Sequence, residues 1–195
     1  MTELPSRSVE HNLLSSSNTP DITIRVDDTF QYIGNLQFIL SGTAQVEQFV
    51  FADHEEQKIN RIFFVQFESS LDGGAYNYSI AETLALGAHE YMHESHSWHW
   101  KAMVEENPDA DYAQVDAFLR DRGYGTPEYA IIELFVRVLD EAKLNEVLFL
   151  YIEDLSYKGL SYSELSDIEK AFEEWTRISQ ELASRSLESF EVIEG

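Results

Sequence analysis

Three runs of side chains, Phe30–Leu40, Gln45–Asp53 and Ile59–Glu68, set the pattern of this chain. In the first, Phe30, Tyr32, Gly34, Leu36, Phe38 and Leu40 alternate with Gln31, Ile33, Asn35, Gln37 and Ile39. That is the period of two expected of a half-buried strand. Ser41-Gly42-Thr43 supplies a turn, because Gly accepts positive φ. The second run carries Val46, Phe49, Val50 and Phe51, and the third Ile62, Phe63, Phe64, Val65 and Phe67. Aromatic and β-branched residues at consecutive positions predict strands covered on both faces. The polar string His54–Lys58 between them is a hairpin loop, so the three runs form an antiparallel meander.

Elsewhere the pattern is strand, helix, strand, helix. Ile22–Val26 alternates and predicts a short strand, with Asp27-Asp28 as the turn into the meander. Ser69–Gly74 is a loop. Asn107-Pro108-Asp109 opens a helix whose apolar stripe is Tyr112, Val115, Phe118 and Leu119, and Gly123 closes it. Tyr129–Asp154 is rich in helix formers, yet Ile131–Leu139 and Glu146–Asp154 carry apolar residues without a one-sided stripe. They predict a second hairpin, with two helices as the competing reading. Ser161 and Glu164 form a capping box. Leu165, Ile168, Ala171, Phe172, Trp175, Ile178 and Leu182 then give a helix reaching about Ser186, and Phe190, Val192 and Ile193 either anchor or fray. The expected fold is α+β: a curved antiparallel sheet of about six strands, packed with a long C-terminal helix and one shorter helix. Residues 1–20, rich in Ser and Asn, read as a loose leader, and 21–195 as one domain.

Composition narrows the function classes. An apolar fraction of 44% excludes a disordered chain. The formal net charge of −23, from 36 acids against 13 Lys and Arg, argues against nucleic acid and anionic membrane surfaces as partners. There is no Cys, which excludes disulfides, thiolate catalysis and Cys-ligated zinc. No apolar run approaches a membrane span and the N-terminus has no apolar signal core, so a cytoplasmic protein is expected.

Four of the six His fall in His89–His99, and two backbone conformations give that stretch different chemistry. As a helix, opened by Ser79 and Glu82, it would place His89 and His93 on one face, able to hold zinc, with Glu90 as general base. With His99 ten residues past His89, the spacing resembles the extended zinc motif of metzincin proteases, His-Glu-x-x-His-x-x-Gly-x-x-His. The resemblance covers eleven residues, has His96 where the motif has Gly, and has no Met beyond Met103 for the family's Met turn. It implies a zinc-dependent hydrolase with metal ligands His89, His93 and His99. A thermolysin-like variant would take a downstream helical Glu as ligand, for which Glu128 and Glu133 are candidates. As a strand with Gly87 as a bulge, His89, Tyr91 and His93 share a face and Glu90 points away.

Charged or polar residues inside strands mark a second possibility. Arg61, Gln66, Arg137 and Tyr151, gathered in an aromatic-lined cavity, would hold a polar or anionic ligand. The leading expectation is a non-enzymatic domain that binds a small molecule or a partner on its sheet. The alternatives are the zinc hydrolase and an interaction module using the acidic surface and an exposed apolar tail.

Overall fold

The computed structural model describes residues 7–17, 19–80, 82–158 and 168–193. Eleven strands form two antiparallel sheets. The larger contains β4 (Gln31–Leu40), β5 (Ala44–Glu55), β6 (Lys58–Ser70), β7 (Thr83–Leu86), β8 (His89–Trp98), β9 (Ala130–Val138) and β10 (Asn145–Asp154). Its spatial order is β4-β5-β6-β10-β9-β8-β7, so β4 and β7 are open edges. The smaller sheet is β1 (Arg7–Glu10), β2 (Leu13–Ser16), β3 (Ile22–Val26) and β11 (Phe190–Ile193), in that order. Among the described residues there are three α-helices, α1 (Trp100–Glu106), α2 (Asp111–Arg120) and α3 (Ile168–Ser189).

The large sheet is the middle of three layers. On one face Phe49, Phe51, Phe63, Val65, Phe135 and Phe149 pack against Leu14, Ile24 and Phe190 of the small sheet and against Ile178 and Leu182 of α3. On the other, Val50, Phe64, Ile132, Val136 and Leu150 pack against Trp100, Val104, Ala113, Val115 and Leu119 of α1 and α2. Burial on both faces is why β5, β6, β9 and β10 carry consecutive apolar residues instead of a clean alternation. The two short helices are pinned together by Asp116. It accepts from the Trp100 indole N–H at 2.8 Å and pairs with Arg120 at 2.6 Å.

The α+β class, the meander, the second hairpin and the helix through Trp175, Ile178 and Leu182 are as expected. The helix carrying Val115 and Leu119 also forms, but it starts at Asp111 with Ala110 at its N-cap, and Asn107, expected to open it, instead ends α1. All six expected strands form, and five more join them. Ile22–Val26 belongs to the small sheet, not to the meander's sheet. Residues 7–16, read as loose leader, form a hairpin: His11 and Asn12 take φ of 48° and 59°, the left-handed pair of a tight two-residue turn. The Asn12 side chain then donates to the Phe30 carbonyl at 2.6 Å, tying the hairpin to the start of β4. The apolar tail is not exposed. Phe190 is buried, stacked on Phe63 with ring centroids 4.8 Å apart, and β11 pairs with β3. The capping box at Ser161 and Glu164 lies outside the described residues.

Candidate functional site

Residues 89–98 are a strand, so the helical form of the His-Glu-x-x-His string does not occur. Gly87, with φ 61°, is not a bulge but part of the tight turn between β7 and β8, which brings Leu86 opposite His89. Four residues along a strand span about 13 Å, too far for His89 and His93 to share one zinc ion. His89 and Glu90 are exposed at the start of the strand. His99 lies past its end, stacked on Tyr129 with ring centroids 4.4 Å apart. Among the described residues no three His, Asp or Glu side chains are placed to hold a metal ion together.

His93 instead meets Glu133, a candidate helical zinc ligand in the sequence. Glu133 sits on β9, where strand alternation turns it to the same face as Phe135 and Arg137. It is wholly buried. One of its oxygens accepts a hydrogen bond from Ser95 Oγ at 2.6 Å. The other lies 2.9 Å from His93 Nδ1. The imidazole is not aimed along a hydrogen bond to that oxygen, so the contact is electrostatic and both atoms still lack a hydrogen-bond partner. Burial pushes the Glu133 carboxyl above its ordinary value, opposed by the Ser95 hydroxyl and then by His93. The register places these groups together: β8 and β9 are antiparallel, with Ser95 directly opposite Glu133.

His93 and Ser95 also line a cleft of about 320 Å³ at the β8 edge. There β7 has ended, and the irregular segment before it continues alongside, the His93 backbone N–H donating to the Glu82 carbonyl at 3.0 Å. Ser79, Ile80 and Glu82 of that segment form one wall, and Trp175 and Ser179 of α3 another. Glu94 also lines the cleft, but its carboxylate pairs with His96 at 2.9 Å. A largely buried imidazole held beside a buried carboxylate can give or accept hydrogen bonds with a molecule in this cleft.

The proposed Arg61, Gln66, Arg137 and Tyr151 pocket does not assemble. Gln66 is on the opposite face of the sheet from the other three, because it differs from Arg61 by an odd number of strand positions. Arg61 is held by Asp53 at 2.7 Å and Thr29 at 3.0 Å, above the Phe30 ring. Tyr151 donates to Glu153 at 2.5 Å, and Glu153 is gripped by Arg185 of α3 at 2.7 and 2.8 Å. These two residues are neighbours in an ion-paired network, whereas Arg137 lies apart, 5.9 Å from the centre of the Tyr91 ring.

Gln66 belongs to a second buried polar cluster, under α2. Its amide nitrogen donates to Glu68 at 2.8 Å and Asp111 at 3.2 Å, and its oxygen accepts from Gln48 at 2.6 Å. Glu146 lies directly opposite Glu68 in the β6–β10 ladder. Two tyrosines of the segment after β6 reach in: Tyr76 donates to Glu68 at 3.0 Å, and Tyr78 to both oxygens of Glu146 at 2.9 and 2.8 Å. Burial raises all three carboxyls, Glu146 to about 8, helped by its acidic neighbours.

Ser95, Glu82 and Trp175 were missed as site residues, Trp175 being read only as part of the helix stripe. The one usable signal was Glu133 itself, a lone acid amid the apolar run 130–136. No protein-family model matches the chain significantly, and neither does any curated protein or solved structure.

Proposed function

We propose that the protein binds a small polar molecule in the cleft between the β8 edge and α3, with His93 at its floor. The reading rests on one observation: the wholly buried Glu133 stands behind His93 and Ser95, both of which line an open cleft. A carboxylate costs free energy to bury and is not needed to fill space on a strand of Ile, Leu, Phe and Val. Its position orients the two groups that a ligand would touch. The cleft is lined mainly by polar side chains, with Ile80 on one wall and Trp175 on the other as its apolar parts, a make-up suited to a small polar molecule. Catalysis is not needed to account for the arrangement.

The test is a screen of a fragment library of mixed charge, followed by nitrogen-15 NMR of the full chain. Ligands are expected to move the Trp175 indole N–H and the His93 signals, while Trp98 and Trp100, packed with α1 and α2, stay still. Fragments that bind only elsewhere, or none that bind, would sink the reading.

A further inference from the structure

We propose that the ligand of this cleft is a small protonated amine carrying an aromatic or aliphatic body. The inference rests on the reading of the cleft as a ligand site and names the chemistry that fits it. Among the described residues lining the cleft there is no Lys or Arg, so an anion would find no permanently charged cation there. It would instead face Glu82 on the wall and Glu133 behind the floor, within a chain of net charge −23. An ammonium group meets the opposite field.

A second observation is independent of charge count. The Glu133 oxygen facing His93 is fully enclosed and lacks a hydrogen-bond donor, although its companion oxygen has the Ser95 hydroxyl. Buried carboxylate oxygens are normally satisfied, and an unmet acceptor is costly. Bringing a cation to the cleft favours the ionised carboxylate, and with it a proton on His93 Nδ1 turned toward Glu133. The outer ring nitrogen is then left as an acceptor for the ligand's N–H. Trp175 and Ile80 offer the apolar surface for the body of the amine.

Three probes of one size and different charge test this: phenethylamine, 2-phenylethanol and 3-phenylpropionate, each titrated calorimetrically into the full chain and followed at the Trp175 indole N–H. The amine is expected to bind at least about tenfold more tightly than the other two. Glu82→Gln, on an exposed segment where folding is not at stake, is expected to weaken the amine about three- to tenfold and leave the alcohol unchanged. Glu133→Gln, of the same shape but uncharged, is expected to do the same, with an unaltered circular dichroism spectrum reporting its fold. If the alcohol or the carboxylate binds as well as the amine and moves Trp175, the amine class is wrong while the cleft stands. If none of the three moves Trp175, the amine proposal is overturned, and the cleft itself falls only if the mixed-charge library is also silent.

Discussion

At the scale of single residues, the chain concentrates its electrostatic risk at Glu133 and Glu153, both wholly buried on the face under α3. Glu153 is well compensated by the two hydrogen bonds from Arg185 and the one from Tyr151. Removing one partner of a buried pair leaves an uncompensated charge, so Arg185→Ala should destabilise the protein by about 3–5 kcal/mol, read from urea unfolding. Arg185→Lys should recover only part of this, since the bidentate grip needs the planar guanidinium. Glu133 is less completely satisfied. Its carboxyl is raised in the folded protein, so the protonated form is favoured by folding. Stability from this group is therefore full at acid pH and declines as pH rises from the ordinary carboxylate range through the raised value. Glu133→Gln should flatten that part of the urea midpoint against pH, and an unchanged slope would show that the carboxyl is not desolvated as described.

At the scale of elements, the irregular segment between β6 and β7 behaves as a strap. Leu71 is anchored to the Thr43 carbonyl and Tyr76 to the Lys143 carbonyl, while Tyr76 and Tyr78 hydroxyls reach Glu68 and Glu146. At its far end Ser79, Ile80 and Glu82 form a wall of the cleft. Burial, with help from Glu68 and Asp111, pushes the Glu146 carboxyl up to about 8, against an ordinary value of 4.5. The sign is that of a raised acid: no penalty below about 4.5, and a growing loss of stability up to about 8, amounting to at most about 5 kcal/mol. Glu146→Gln should therefore stabilise the protein at pH 9 and do little at pH 4. Tyr78→Phe should speed hydrogen exchange at the Tyr76 amide without unfolding the sheet. Much of this scale was legible from pattern alone, because consecutive aromatic and β-branched residues in β5, β6, β9 and β10 fit strands with both faces covered better than a one-sided helix stripe. The parts that were not legible have identifiable causes. The β1–β2 turn is His-Asn where Asn-Gly would have announced a hairpin. Helix α1 is seven residues long, too short for periodicity to show. The cleft depends on which residues of three separate elements meet, and spacing along the chain carries no record of that. Gln66 and Arg61 interrupt the same apolar run, which groups them in the sequence, whereas strand parity separates them.

At the scale of the whole molecule, three layers are stacked inside a strongly acidic surface. The net charge of −23 works against compactness at low ionic strength. Raising sodium chloride from about 0.01 M to about 0.5 M shortens the screening length from about 30 Å to about 4 Å and should raise the thermal midpoint. A midpoint that fell with salt would mean that ion pairs such as Arg7–Glu47 and Arg61–Asp53 outweigh the repulsion.

The strand order of the large sheet also fixes how the chain must fold. Strands β4 to β6 form a local meander, and β7 to β9 lie on the other side of β10. The two halves join along a single seam, nine residue pairs between β6 and β10, whose members are about 80 positions apart in the chain. Such distant pairing is slow, because the loop must close before any contact rewards it. Assembly of this seam is then the step on which the folding rate turns. Trimming it, as with Val65→Ala, should slow folding, whereas trimming the outer β4–β5 hairpin should chiefly hasten unfolding.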